Sequence, residues 1–237
     1  MKRIFLEKIT DEMTISGADA HHLAYSLRAR RGNKITAVDG AGNCAVLELI
    51  DFDKDTIKAR RISDVQKILP DKKIILADCL PKQNRFENII EKATELGVEK
   101  IIPLISERTI ARPRVGRLER WKKIAKESSE QCARDTIPEI DEIRTLDDWL
   151  KEISPLDEEN IFLFCWELEK ETNIREILSR NAEKNILVLI GPEGGFSERE
   201  VEKIKNSGGI SVSLGKKILK TDTAAISVLA MINYELM

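Results

Sequence analysis

Apolar residues recur along this chain in two different rhythms. Up to about residue 70 they alternate with polar ones over short runs. "RIFL", "KITAVDG", "CAVLELIDF" and "TIKARRI" read as strands, and "DGAGN" is a strong turn signal. Between them "ADAHHLAYSLRAR" has helical spacing, with Leu23 and Leu27 on one face and Gly32 and Asn33 as the stop. "SDVQKILPDK" reads as a linker. Beyond it the rhythm changes. Apolar runs such as "KIILADCL", "VEKIIPLIS", "IFLFCWE", "NILVLIG" and "ISVSLG" alternate with amphipathic stretches. The latter are "RFENIIEKATELG", a long basic helix near 116–133, "NIREILSRN", "SEREVEKIKNSG" and "DTAAISVLAMINYEL". Strands of continuous apolar character alternating with helices predict an α/β domain on a mostly parallel sheet, covered on both faces. The expected organisation is a small β-rich domain over 1–70 and an α/β domain over 71–237.

Composition narrows the chemistry. Of 237 residues 42% are hydrophobic and 34% charged, enough for one large or two modest cores. No segment approaches the roughly 20 apolar residues that span a bilayer. The N-terminus lacks the apolar centre and cleavage site of a signal peptide. A cytoplasmic protein without membrane contact is the expectation. The four cysteines are scattered and the two histidines, His21 and His22, are adjacent, so neither a zinc site nor a disulfide framework is indicated. The expected cysteines are reduced and mostly buried, and no metal is expected. Two histidines also argue against a histidine base, and both are expected to pack or cap.

The net charge of -2 does not by itself announce a polyanionic partner. Its distribution says more. Arg108, Arg112, Arg114, Arg117, Arg120, Lys122, Lys123 and Lys126 face a single acid, Glu119, within 108–126. Arg28, Arg30, Arg31 and Lys34 form a second cluster, and Lys58, Arg60 and Arg61 a third. Such clusters form either phosphate-tracking surfaces or solvated faces with acidic partners.

Two stretches concentrate turn chemistry at strand ends: "LVLIGPEGGFSERE" and "SLGKKILKTDTAA". In the first, Pro192 and the Gly194-Gly195 pair allow a sharp turn, and Ser197 with Glu200 three positions on forms a capping box. Ligands in open α/β sheets gather at such carboxyl ends of strands. Gly-Pro-Glu-Gly-Gly is not the dinucleotide fingerprint G-x-G-x-x-G. Gly209 is followed by five residues before Gly215, and Lys217 stands where a P-loop needs Ser or Thr. Glu193 in the tight turn would repel phosphate, so a cationic or neutral ligand suits it better. Two well-made turns without a ligand remain the alternative.

Together these motifs resemble the RsmE-like family of bacterial methyltransferases, which modify N3 of a uridine in 16S ribosomal RNA. The likeness runs through "HHLAYSLRARRGNKITAVDGAG", "PKQNRFENIIEKATELGVEKIIPLISERT", "EQCARDTIPEI", "LIGPEGGFSERE" and "LGKKILKTDTA". The family tends to carry Arg where this chain has Lys217 and Lys220, and Glu where it has Asp222. The resemblance implies a trefoil-knotted SPOUT-type domain over 71–237, preceded by a PUA-like RNA-binding β-barrel over 1–70. It implies a homodimer with S-adenosyl-L-methionine as cofactor and the small ribosomal subunit as partner. Cofactor contacts would fall to Leu189, Ile190, Gly191, Gly194, Gly195, Leu214, Gly215, Ile218 and Leu219. RNA contacts would fall to Arg28, Arg30, Lys82, Arg85, Arg108, Arg112, Arg114, Lys217 and Lys220. Arg134 would be the catalytic cation, because a guanidinium offers several donors in a fixed plane to an anionic uridine ring. The alternatives are another RNA target such as transfer RNA, or a non-catalytic RNA-binding protein of ribosome assembly. The intact glycine turns favour an enzyme over the latter.

Overall fold

The computed structural model describes residues 2–53, 55–67, 70–111 and 116–236. The chain divides into two compact units. One comprises Met1–Pro70 with Ser129–Ile137, and the other Asp71–Ser128 with Pro138–Met237.

The first unit is built on one sheet. Its strands are β1 (Lys2–Phe5), β2 (Glu12–Ser16), β3 (Lys34–Val38), β4 (Asn43–Phe52), β5 (Thr56–Arg61) and β6 (Gln66–Lys67). They run in the order β1-β3-β4-β5-β2, with β6 paired to β4. Only β1 and β3 are parallel among these pairs. Alternation does its work along β4, where Ala45, Leu47 and Leu49 are buried and their neighbours are not. With Ile4, Ile15, Leu23, Ile35 and Ile57 they make the unit's core.

β2 was not anticipated, because "EMTIS" offers one buried residue, Ile15, among exposed polar ones. Part of the stretch read as a linker is β6. The expected helix over 18–30 is shorter and irregular. An α-helical turn, α1 (Gly17–His21), continues as a π-wound turn, His22–Ser26. Leu27 N–H then donates to His22 O at 2.9 Å, Ala29 N–H to Leu23 O at 2.9 Å, and Arg28 takes a positive φ of 48°.

The segment Ser129–Ile137 is fastened to this unit by polar contacts. Arg3 pairs with Asp135 at 3.0 Å and donates a hydrogen bond to Ala133 O. Ile137 N–H donates to Gly40 O at 3.1 Å.

The second unit carries a seven-stranded parallel sheet. Its strands are β7 (Ile74–Cys79), β8 (Lys100–Ile105), β9 (Glu139–Ile140), β10 (Arg144–Thr145), β11 (Asn160–Cys165), β12 (Asn185–Ile190) and β13 (Gly209–Val212). The order is β10-β8-β7-β12-β11-β13, with β9 also on β8. The helices are α2 (Arg85–Glu95), α3 (Arg117–Gln131), α4 (Leu146–Glu152), α5 (Ile174–Arg180), α6 (Glu198–Asn206) and α7 (Thr221–Leu236), the last three residues of α3 being counted with the first unit. α4 is short, yet it buries Leu146, Trp149 and Leu150 beside Phe162. Thr145 caps it, accepting from Asp148 N–H at 3.1 Å. α2 turns Phe86, Ile89, Ile90 and Ala93 inward, with the Phe86 ring against Trp121 at 4.6 Å. Among the described cations of the 108–126 run, Arg120 pairs with Glu87, Lys122 with Glu119 and Lys123 with Glu127.

Arg3→Ala removes the ion pair and the hydrogen bond that hold 133–135. We expect a loss of about 1.5–3 kcal/mol, as for hydrogen bonds to charged groups. Urea denaturation measures it, and limited proteolysis should show faster cleavage near 133.

Candidate functional site

Three neighbouring strands of the second unit, β12, β11 and β13, end at one cavity of about 490 Å³. That volume lies in the range of small-molecule sites, and the carboxyl ends of parallel strands are where such sites form. Three segments line it: 165–169 after β11, 190–196 after β12, and 212–221 after β13.

The 191–196 turn is the most constrained of them. Gly195 has φ +65°, and a Cβ there would lie 2.3 Å from the Glu167 carboxylate. A Cβ on Gly191 would lie 3.0 Å from the Phe196 ring. Phe196 is itself core, set edge-on to Phe164 at 6.3 Å. The capping box read from the sequence is formed. Ser197 N–H donates to Glu200 Oε2 at 2.9 Å, and Glu200 N–H donates back to Ser197 Oγ at 3.3 Å. The buried Glu200 does a second job, since its Oε1 accepts Glu107 N–H at 2.8 Å while Ser197 Oγ donates to Glu107 Oε2 at 2.7 Å.

The turn is also held by groups expected to contact RNA. Lys82 N–H donates to Glu193 Oε1 at 2.9 Å, and the Arg85 guanidinium stands 3.7 Å from the same oxygen. Arg108 Nη1 donates to Gly194 O at 2.9 Å. The Lys82 main chain and the Arg85 and Arg108 side chains thus brace the turn. The local charge of Glu193 is met by them.

The other expected residues are distributed as follows. Ile190, Gly191, Gly194, Gly195, Leu214, Gly215, Ile218 and Leu219 all line the cavity, as do Lys217 and Lys220. Leu189 does not; it is fully buried in the hydrophobic core one residue before the wall. Ile218 is 86% exposed, a bare apolar side chain at the cavity's edge. Arg28 and Arg30 are exposed in the first unit. Arg134 also belongs to the first unit, where its Nη2 donates to Thr136 Oγ1 at 3.0 Å. Arg112 and Arg114 lie outside the described residues.

Sequence reasoning passed over the first wall, Cys165 to Glu169. It carries no glycine or proline, so the turn chemistry that marks the other two walls is absent, and its one signal is a pair of acids, Glu167 and Glu169, directly after an apolar strand. Burial of its sulfur pushes the Cys165 thiol up to about 12, which disfavours the thiolate at neutral pH. Glu169 is the reverse case. The Ser211 hydroxyl at 2.5 Å, with the N–H groups of Glu171 and Thr172, holds its carboxyl down at about 2. Its hydrogen bonds therefore lock the 169–172 turn to β13 at neutral pH. Cys79 is buried while Cys44, Cys132 and Cys165 are half-buried, and all four are free thiols. No group of three metal-binding side chains is found among the described residues. No described helix is long and apolar enough to cross a membrane.

Asp78 was also missed. It sits near the end of β7, in register with Ile190 of the cavity strand. It is fully buried, and neither carboxylate oxygen has a hydrogen-bond partner. Burial, then the charges of Glu193 and Asp222, push its carboxyl well above the usual carboxylate range.

Residues 69–233 match the RNA methyltransferase domain family. The chain is 30% identical over 251 residues to the ribosomal RNA small subunit methyltransferase E of Bacillus subtilis, covering 99% of this chain and 97% of that one. The chain belongs to this RNA methyltransferase family. Among solved structures it resembles the ribosomal RNA small subunit methyltransferase E of Neisseria gonorrhoeae bound to S-adenosyl methionine. The TM-score there is 0.85 at 30% identity, over 99% of this chain and 97% of that one. A putative methyltransferase of Legionella pneumophila, in complex with the same cofactor, gives 0.79 at 26%, over 98% and 97%.

Asp78 yields a pH prediction. A carboxyl whose value is raised by folding binds its proton more tightly folded than unfolded. Its cost is absent below the unfolded value of 3.8 and grows as pH rises above it. From about pH 3 to pH 7 the native protein should lose stability relative to Asp78→Asn, which has no proton to give up. Thermal melts across that range check this; parallel curves would count against it.

Proposed function

We propose that this chain methylates N3 of a uridine in the 16S RNA of the small ribosomal subunit, with S-adenosyl-L-methionine as donor. The observation that carries the reading is the cavity itself, formed by two glycine-bearing turns and a third wall in a chain of this family. The residues fit such a donor. Gly191 and Gly195, where a side chain would strike the Phe196 ring and the Glu167 carboxylate, let the turn pass close to both and present main chain to the cavity. Ile190, Leu214, Ile218 and Leu219 offer apolar walls, and Glu167 and Glu193 place carboxylates around the cavity. That sign of charge suits a sulfonium and an amine better than a phosphate.

When bound, the donor supplies an electrophilic methyl group on a positive sulfur. The protein's share is to orient it and to exclude water. Uridine N3 carries a proton at neutral pH, so the target becomes reactive only as that proton leaves and the ring's negative charge is met by a cation. We assign that cation to Arg134, whose planar donors suit the uracil oxygens. Lys217 and Lys220 are proposed to hold phosphates of the target strand, together with Arg28, Arg30, Arg112 and Arg114. N3 lies on the pairing edge of the base, so the target must be unpaired or flipped.

The reading extends to architecture. We propose a trefoil knot in the second unit, with the 191–196 and 213–220 segments as its cofactor loops. We propose a PUA-like barrel for the RNA-binding first unit, a homodimer as the working form, and the cytoplasm as its place.

Two measurements test the proposal. Ribosomal RNA from cells lacking the gene should lose one N3-methyluridine by mass spectrometry; a full set of such marks would overturn the target. In calorimetry Gly195→Val should weaken S-adenosyl-L-methionine at least about 10-fold, because a branched side chain is strained at that φ and enters the Glu167 space. Unchanged affinity would remove the turn from the donor site.

A further inference from the structure

The first unit presents an aromatic face that the cofactor cavity does not use. His21 and Tyr25 are four residues apart on the helical segment that begins at Gly17, and their rings lie 4.4 Å apart, tilted by 32°. Both point outward, and Tyr25 is 66% exposed. The opposite face of the segment holds Ala20 and Leu23 in the core. Aromatic residues make up only 5% of this chain, so a bare ring pair is a marked departure from its composition.

The backbone around the pair is built rather than loose. The π-wound turn closes through Leu27 N–H to His22 O and Ala29 N–H to Leu23 O. The chain then reverses through Arg28 at positive φ, and Asn33 Oδ1 accepts Arg30 N–H at 2.9 Å. This reversal presents Arg28, Arg30 and Arg31, all exposed, within six residues of Tyr25. None of the three forms an ion pair among the described residues, unlike Arg60 and Arg61, which pair with Glu48 and Asp11.

We infer that His21 and Tyr25 form a stacking platform for an unpaired base of single-stranded RNA, with Arg28, Arg30 and Arg31 taking the flanking phosphates. This rests on the RNA reading above and adds a base contact to it. Rings this close and only moderately tilted lie over one another, so His21 backs one face of Tyr25 and the exposed outer face of Tyr25 is left for a splayed-out base to cover. Unpaired guanidiniums beside them match the charge repeat of the strand. A duplex has no free base face to offer and would leave the rings bare.

The test is the affinity of a fluorescein-labelled single-stranded fragment of small-subunit ribosomal RNA, read by anisotropy over a salt series. Tyr25→Ala should weaken binding about 5- to 150-fold, the range for losing one base stack. Its salt dependence should be unchanged. Tyr25→Trp should restore the affinity. Arg30→Ala should instead flatten the dependence of log K on log salt by about 0.7, as for one phosphate contact on a single strand. S-adenosyl-L-methionine binding should be the same in all three variants. Tyr25→Ala that binds the fragment as tightly as the native protein would overturn the platform. So would a loss confined to assembled subunits, which would point to a ribosomal protein as the occupant. A tyrosine-dependent affinity in a protein that methylates no ribosomal RNA would uphold the platform and sink the methyltransferase reading.

Discussion

The 191–196 turn is the constraint on which the cavity depends. A glycine-rich turn is the costliest kind of backbone to hold in one shape, because glycine has the most conformational freedom to lose. Here three sets of contacts offset that cost. The 82–85 segment grips Glu193, Arg108 grips the carbonyl of Gly194, and the Ser197–Glu200–Glu107 network fixes the start of α6. Hydrogen bonds to charged groups contribute about 1.5–3 kcal/mol each, more than neutral ones. Phe196 then plugs the turn into the core. A shape that would be mobile in isolation is thereby presented ready-made at the ends of β11, β12 and β13.

Much of this was legible in the sequence because the signals are local. An apolar run ending at Gly191 marks a buried strand; Ser197 with Glu200 marks a helix start; alternation along 44–52 marks a half-buried strand. What escaped was long-range. Nothing near Ser129–Ile137 says that it packs with residues over 90 positions earlier in the chain, since Arg3, Gly40 and Asp135 meet only in three dimensions. Charge likewise predicted cations near Lys82, Arg85 and Arg108 but not their use. Their contacts with Glu193 and the Gly194 carbonyl join positions more than 80 residues apart and leave no local signal.

The helical segment after β2 failed in a different way. The spacing of Leu23 and Leu27 is correct for a helix, and Leu23 is buried. Periodicity cannot tell an α turn from a π turn when only two apolar positions sample it. π turns are often found at functional sites because they re-aim side chains without ending the helix. The π-wound turn lies between His21 and the reversal at Arg28.

The sign of charge around the cavity separates two tasks within a few residues. Glu167, Glu169 and Glu193 are carried by the first two walls, whereas Lys216, Lys217 and Lys220 stand on the third, in the same short loop as Leu214 and Ile218. Asp78 lies behind the second wall and adds no fixed charge where its proton is retained. A uniformly basic cavity would have drawn in phosphate; a uniformly acidic one would have repelled a nucleic acid from its rim. Arg85 and Arg108 meet the charge of Glu193 on the second wall, so the remaining carboxylates, Glu167 and Glu169, are on the first wall and the lysines on the third. A positively charged donor finds its complementary charge on the first wall, and the RNA contact proposed for Lys217 and Lys220 would lie across the cavity from it, where the two charges compete least.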